Sequence, residues 1–132
     1  MVLEAMAHQE GFFSSDPSAR PRRNNNPLDL MWGPEAKEFG ATGGDPRFAV
    51  FQTVADGWNA GRRWLSVPAK FDTNGNLVGG YLGATFAQFI HRFAPPNENN
   101  TAAYVAYVCE QTGYSEDTVL TEAMLQIPEA TA

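Results

Sequence analysis

The chain has 132 residues, 43% of them hydrophobic, a single cysteine and a formal net charge of −6. That length fits one domain, residues 1–132, with material enough for a buried core. The acidic balance disfavours nucleic acid as a partner, the lone Cys109 excludes an internal disulfide and a cysteine-based zinc cluster, and no apolar run is long enough to span a membrane. Twelve glycines indicate a folded chain rich in loops.

The opening Met1-Val2-Leu3-Glu4 lacks the basic flank and apolar run of a signal peptide. Leu3, Met6 and Glu10 then fall at i, i+3 and i+7, so a helix here sets a carboxylate on its apolar stripe. Gly11 can end that helix in the left-handed conformation. Glu10 would lie in the last turn, where burial and the negative end of the helix dipole both disfavour its charge. A raised pKa of that kind is what a general acid near neutral pH requires. A solvated glutamate on a short helix is the competing interpretation.

Residues 14 to 28 hold Ser-Ser-Asp-Pro-Ser, Pro21, Asn24-Asn25-Asn26 and Pro27, the composition of a loop. Arg20, Arg22 and Arg23 concentrate there, as a solvated loop or as a basic rim beside a cleft. The asparagines can bond their own backbone in turns. Leu30-Met31-Trp32 and the run from Arg47 to Gln52 are short and apolar, separated by glycine-rich Phe39-Gly40-Ala41-Thr42-Gly43-Gly44. They predict a small β-ribbon.

Thr53 with Asp56 resembles a capping pair, and Val54, Trp58, Gly61 and Leu65 share one face of the helix that follows, ended by Pro68. Gly57 and Gly61 each cost about 1 kcal/mol against alanine in a helix, so their i, i+4 spacing predicts a second backbone crossing there. Asn74-Gly75 predicts a type I′ hairpin; the stretch from Phe71 to Val78 lacks the glycine offset and closing glutamate of a calcium loop. Thr85 and Gln88 form a capping box before an amphipathic stripe of Phe86, Phe89, Ile90 and Phe93, stopped by Pro95-Pro96. His91 falls on the polar face and His8 off the face of Glu10, so no His/Glu metal spacing exists and no metal or cofactor is expected. A helix from about residue 100 to 111, closed by Gly113, carries Tyr104 and sets Cys109 with Val105 on an apolar face, where cysteine packs as a small hydrophobe. Tyr104 is a core tyrosine or a contact to the site. Val119, Leu120, Met124 and Leu125 suggest a last helix over residues 117 to 127.

Glu10-Gly11-Phe12 closing a helix, followed by Arg23-Asn24-Asn25-Asn26-Pro27-x-x-Leu30, resembles small peptidoglycan-cleaving domains of phages and bacteria, distant relatives of lytic transglycosylases in the lysozyme-like superfamily. The likeness continues through Gly40-Ala41-Thr42-Gly43, Arg47-Phe48-Ala49-Val50-Phe51, Gly57-Trp58 and the run from Phe93 to Thr101, covering roughly residues 1 to 114. Thr101-Ala102-Ala103-Tyr104-Val105-Ala106-Tyr107-Val108 resembles a Thr-x-x-Tyr-Val-x-x-Val pattern of lytic transglycosylases, in which the tyrosine hydroxyl contacts the catalytic glutamate.

The resemblance implies an α+β, predominantly α-helical, lysozyme-like fold, with the β-ribbon as one wall of a cleft. It implies a monomer that cuts peptidoglycan glycan strands between N-acetylmuramic acid and N-acetylglucosamine. Glu10 would be the general acid and Tyr104 its partner, with Asn25, Asn26, Asp29, Thr42 and Phe51 against substrate. Such a chain acts on the wall as a phage endolysin or particle component, or leaves a bacterial cytoplasm on release. Phage muramidases carry Asp nine and Thr fifteen residues after the glutamate, where this chain has Ala19 and Asn25. Lytic transglycosylases have serine after the glutamate and a Gly-Leu-Met-Gln stretch, where this chain has Gly11 and Asp29-Leu30-Met31-Trp32. Asp29, Glu35, Glu38 and Asp45 are the possible second carboxylates. Without one, the muramyl oxygen itself closes the ring and leaves a 1,6-anhydro product. A non-catalytic wall-binding or phage structural module, and a chitin- or chitosan-directed hydrolase, are the alternatives.

Overall fold

A computed structural model describes residues 1–128. Helix α1, Val2–Glu10, buries Val2, Leu3, Ala5, Met6 and Ala7. Its end is a Schellman motif: Gly11, at φ +93°, donates its N–H to His8 O, and Phe12 donates to Ala7 O at 3.0 Å. Residues 14 to 28, expected as loop throughout, contain a four-residue helix α2, Arg20–Arg23. Pro21 is tolerated in its first turn, where a backbone N–H has no helical partner to lose.

A second short helix, α3 (Pro34–Glu38), begins on a proline and precedes the ribbon. The ribbon is narrower than expected. Its strands are β1, Gly43–Gly44, and β2, Ala49–Val50, antiparallel with Gly43 opposite Val50. Leu30-Met31-Trp32 joins only through a single bridge between Met31 and Phe48. Two glycines as a strand are invisible to β-propensity; pairing with β2 puts them there.

Helix α4, Val54–Leu65, is capped by Thr53, whose Oγ1 accepts from Asp56 N at 3.1 Å. It buries Trp58, Ala60 and Leu65 in the middle of the core. The chain carrying Asn25 to Leu28 crosses it at the two glycines: a Cβ on Gly57 would run into the Asn25 carbonyl, and one on Gly61 would meet Leu28 Cδ1 at 2.9 Å. Strands β3, Lys70–Phe71, and β4, Leu77–Gly79, make a second hairpin. Its turn is not type I′, since that needs positive φ at both central residues and among the non-glycine residues described only Asn25 and Asp29 have it. Asp72 instead organises a longer loop, its Oδ1 accepting from Asn74 N and Asn76 N at 2.9 Å each, with Gly75 at φ +81°.

Helix α5, Phe86–Phe93, has the full capping box: Thr85 Oγ1 accepts from Gln88 N and Gln88 Oε1 from Thr85 N. Helix α6, Thr101–Thr112, is capped by Asn100, ends at left-handed Gly113, and packs against both α1 and α5. Cys109 is half-buried on its inner side among the hydrophobics that flank the core. The last helix expected over residues 117 to 127 is replaced by an extended segment and a single 3-10 turn, Glu122–Met124. Leu120 N donates to Ala84 O, Gly83 N to Leu120 O, and Phe86 N to Thr118 O, so this stretch pairs with the chain leading into α5. Leu120 and Leu125 are buried, but Val119 faces solvent, as an extended alternation requires and a helix stripe would not. The whole is α+β, six helices and two small antiparallel ribbons among the described residues, and none of those helices is long and apolar enough to cross a membrane.

Candidate functional site

The Schellman ending of α1 leaves Glu10 as the last helical residue, at a cleft of about 440 Å³. The cleft is lined from five directions: Glu10, the loop at Leu28 to Met31, Arg47 and Phe48 of the ribbon, Trp64 of α4 with Tyr81, and the end of α5 running on to Asn99. Tyr104, buried on α6, donates its hydroxyl to Glu10 Oε2 at 2.8 Å.

Burial pushes the Glu10 carboxyl up to about 7. The Tyr104 hydrogen bond pulls it down, the Asp29 charge raises it further, and Arg20 lowers it. The Tyr104 phenol is itself held well above the usual range by burial, by the Glu10 charge and by the bond between them. It therefore remains a donor at any physiological pH, and Glu10 exchanges its proton near neutrality. Such a carboxyl can act as an acid and, once spent, as a base.

Asp29 is the one other candidate carboxylate in the cleft lining. Its backbone is left-handed, φ 53°, and its side chain is only 5% exposed. Arg20 binds it with a planar fork, Nε to Oδ1 at 3.1 Å and Nη2 to Oδ2 at 2.6 Å, while the guanidinium lies 3.6 Å over the Phe48 ring. Both carboxylate oxygens thus have a charge-assisted donor. Glu35 and Glu38 sit exposed on α3, outside the cleft lining, and Asp45 is paired with Arg23 at 2.9 Å.

The other substrate candidates take different places. Asn26 is fully buried: its amide nitrogen donates to Leu30 O and Ala49 O, and its oxygen accepts from Leu30 N, all at 2.9 to 3.0 Å. Asn25, at φ 52°, donates to Phe51 O and Gln52 O. Both asparagines fasten the α2 loop to the ribbon, and neither lines the cleft. Phe51 is a core residue, 1% exposed. Thr42 is exposed away from the cleft and bonds Val50 O. The arginines of the loop form no free basic rim, because Arg20 and Arg23 are ion-paired and Arg22 donates to Ser14 O.

Sequence reasoning missed Trp64, Tyr81 and Arg92. Trp64 donates from Nε1 to the Tyr81 hydroxyl at 3.4 Å, and the Arg92 guanidinium lies 5.3 Å from the Tyr81 ring centre. Trp64 sits one residue before the face that carries Leu65, where helical periodicity assigns it no role. Among the described residues no group of three or more His, Cys, Asp or Glu side chains could hold a metal ion.

No protein-family model matches the chain. It is similar to Protein P5 of Pseudoalteromonas phage PM2, 33% identical over 103 residues. The match covers 73% of this chain and 57% of that protein, so the chain spans little more than half the length of the relative.

Proposed function

We propose that the chain is a lysozyme-like domain that cleaves the β-1,4 bond between N-acetylmuramic acid and N-acetylglucosamine in peptidoglycan glycan strands. The observation that carries this reading is the Glu10–Tyr104 pair: a carboxyl brought to about 7, oriented by a buried phenol, at an open cleft. Glu10 protonates the leaving glycosidic oxygen as the bond to the anomeric carbon breaks. A relative in a phage accords with an enzyme for the host wall.

The fork on Asp29 favours internal closure over attack by a second carboxylate. Arg20 sets a charge-assisted donor on each of its oxygens, which draws charge from the carboxylate and weakens it as a nucleophile or base. The muramyl 6-hydroxyl then bonds to the anomeric carbon and returns its proton to Glu10, leaving a 1,6-anhydro end and no net water consumed. Mass spectrometry of digested walls should therefore show anhydromuramyl ends. Asp29→Asn should keep a third or more of the activity, roughly, because asparagine tolerates left-handed backbone and can still accept from Arg20. Its pH profile should move down, since the Asp29 charge is one of the influences that raise Glu10. Reducing ends together with an inactive Asp29→Asn would establish a two-carboxylate hydrolase instead.

Tyr104→Phe separates orientation from packing. The ring stays in the core, so the melting temperature should change little. The rate below neutrality should fall by about tenfold, on the scale of one lost hydrogen bond to a carboxylate. The alkaline limb of the rate profile should shift to higher pH, because the phenol's bond is what lowers the Glu10 pKa. Equal losses of stability and rate, with an unmoved limb, would return Tyr104 to a purely structural role.

A further inference from the structure

Of the three arginines that line the cleft, Arg20 alone has its guanidinium bonded to a carboxylate among the described residues. Arg47, in the turn between β1 and β2, and Arg92, in the last turn of α5, make no side-chain hydrogen bond or ion pair with any described residue. Each is exposed, and each is held only by an aromatic ring: Arg47 lies 5.5 Å from the Phe48 centre and Arg92 5.3 Å from the Tyr81 centre. The cleft carboxylates do not neutralise them. Asp29 is taken by Arg20, Glu10 is largely protonated below neutrality, and Glu98 is exposed at the margin with no ion pair to either arginine. Among the described residues, two cations thus stand unpaired beside the acid in a chain of net charge −6.

Guanidinium forks suit carboxylates in geometry as well as in charge, and a ring beneath the fork holds it ready at little conformational cost. Resting on the glycan-strand reading above, we propose that Arg47 and Arg92 are specificity residues that recognise carboxylates carried by the strand, so that the cleft selects anionic glycan over neutral polymers of N-acetylglucosamine. On a peptidoglycan strand those carboxylates belong to the peptide stem or, on muramyl residues that carry no stem, to the free lactyl group.

The test is steady-state cleavage of soluble strands by the wild type, Arg47→Gln, Arg92→Gln, the double variant and the corresponding lysine variants, with stability followed by thermal melting. Both side chains are exposed, so the variants should melt with the wild type. The double variant should raise KM about tenfold or more with kcat within about twofold, and should flatten the salt dependence of kcat/KM. Lysine at both positions should recover part of the loss by restoring charge without the fork. A penalty on stem-bearing strands assigns the contact to stem carboxylates, because their lactyl carboxyl is tied up as an amide, whereas one confined to amidase-treated, stem-free strands assigns it to the lactyl carboxylate that the amidase uncovers. An unchanged KM overturns the proposal, as does an equal penalty on strands whose carboxyls have been amidated. The same substitutions in a Glu10→Gln background, read by binding to intact and to carboxyl-amidated strands, report on the arginines even if the wild type cleaves no glycan.

Discussion

Glu10→Gln should abolish wall cleavage, by a hundredfold or more on the usual scale of a lost general acid, about 10²–10⁴, while the protein melts at or above the wild-type temperature. The amide keeps the shape of the carboxyl and can accept from the Tyr104 hydroxyl, so the helix end and the cleft stay in place. What it lacks is the proton. The stability effect carries its own sign. Glu10 has a folded pKa of about 7 against an ordinary value of 4.5, so between those limits the unfolded chain gives up a proton that the native chain retains. Native stability is therefore full below the lower value and falls as pH rises through the upper one. Glutamine does not titrate. The variant should gain on the wild type as pH increases from 4.5, by on the order of 3 kcal/mol at most above neutrality. Paired thermal melts at pH 4 and pH 8 read this directly, and the rate profile of the wild type should decline above about 7 as the acid ionises. A variant that retained more than about a tenth of the wild-type rate would remove Glu10 from the role of acid.

The parts of this molecule that could be read from the sequence are those fixed by neighbours within a turn or two. The Leu3, Met6, Glu10 stripe, the Gly11 stop, the Thr85–Gln88 box and the Asn100 and Gly113 ends of α6 all depend on contacts between residues no more than about seven apart. Gly57 and Gly61 were informative for the opposite reason. They are poor helix residues, and the loss of local propensity signals a tertiary neighbour. Elsewhere the deciding partner is remote. Val119 is extended because Thr85 is its bridge partner, while Gly43-Gly44, whose partners Val50 and Ala49 are close in the chain, carries no β signal of its own. Asn26 looks like one more turn asparagine until its amide is found on Ala49 O, twenty-three residues away. The site divides in the same way. Glu10 was visible through its helix and Tyr104 through a motif, whereas the Arg20 fork on Asp29 joins two residues that the sequence presents as a basic cluster and an isolated acid.

Gly57→Ala should be the most damaging single methyl group that can be added to the chain's central helix. Two effects oppose each other. Alanine in place of glycine favours a helix by about 1 kcal/mol. Against this, the new Cβ would occupy the position of the Asn25 carbonyl and press on Pro27 Cδ at 2.8 Å. Neither obstacle is the free end of a flexible side chain. Asn25 is pinned by its own amide to Phe51 O and Gln52 O, its φ is 52°, and the next residue is locked by three buried hydrogen bonds. The loop must therefore lift away from α4 as a unit, or α4 must shift. Overpacking against groups that can yield costs about 1–3 kcal/mol, and against backbone the cost should reach or pass the upper end. The net loss should then lower the melting temperature by on the order of 10 °C. Gly61→Ala is the internal control. Its Cβ meets Leu28 Cδ1 at 2.9 Å and Cγ at 3.1 Å, side-chain atoms that can repack without moving a backbone, so the helix propensity gain offsets much of the cost and the melting temperature should move by only a few degrees, roughly. Activity should follow the loop rather than global stability, because the loop fastened by Asn25 and Asn26 also carries Leu28 to Met31, one wall of the cleft. At a temperature where Gly57→Ala is still folded, it should cleave walls more slowly than Gly61→Ala. Equal melting temperatures for the two variants would mean that the Asn25 backbone yields freely, and that the crossing of α4 does not hold the loop beneath the site.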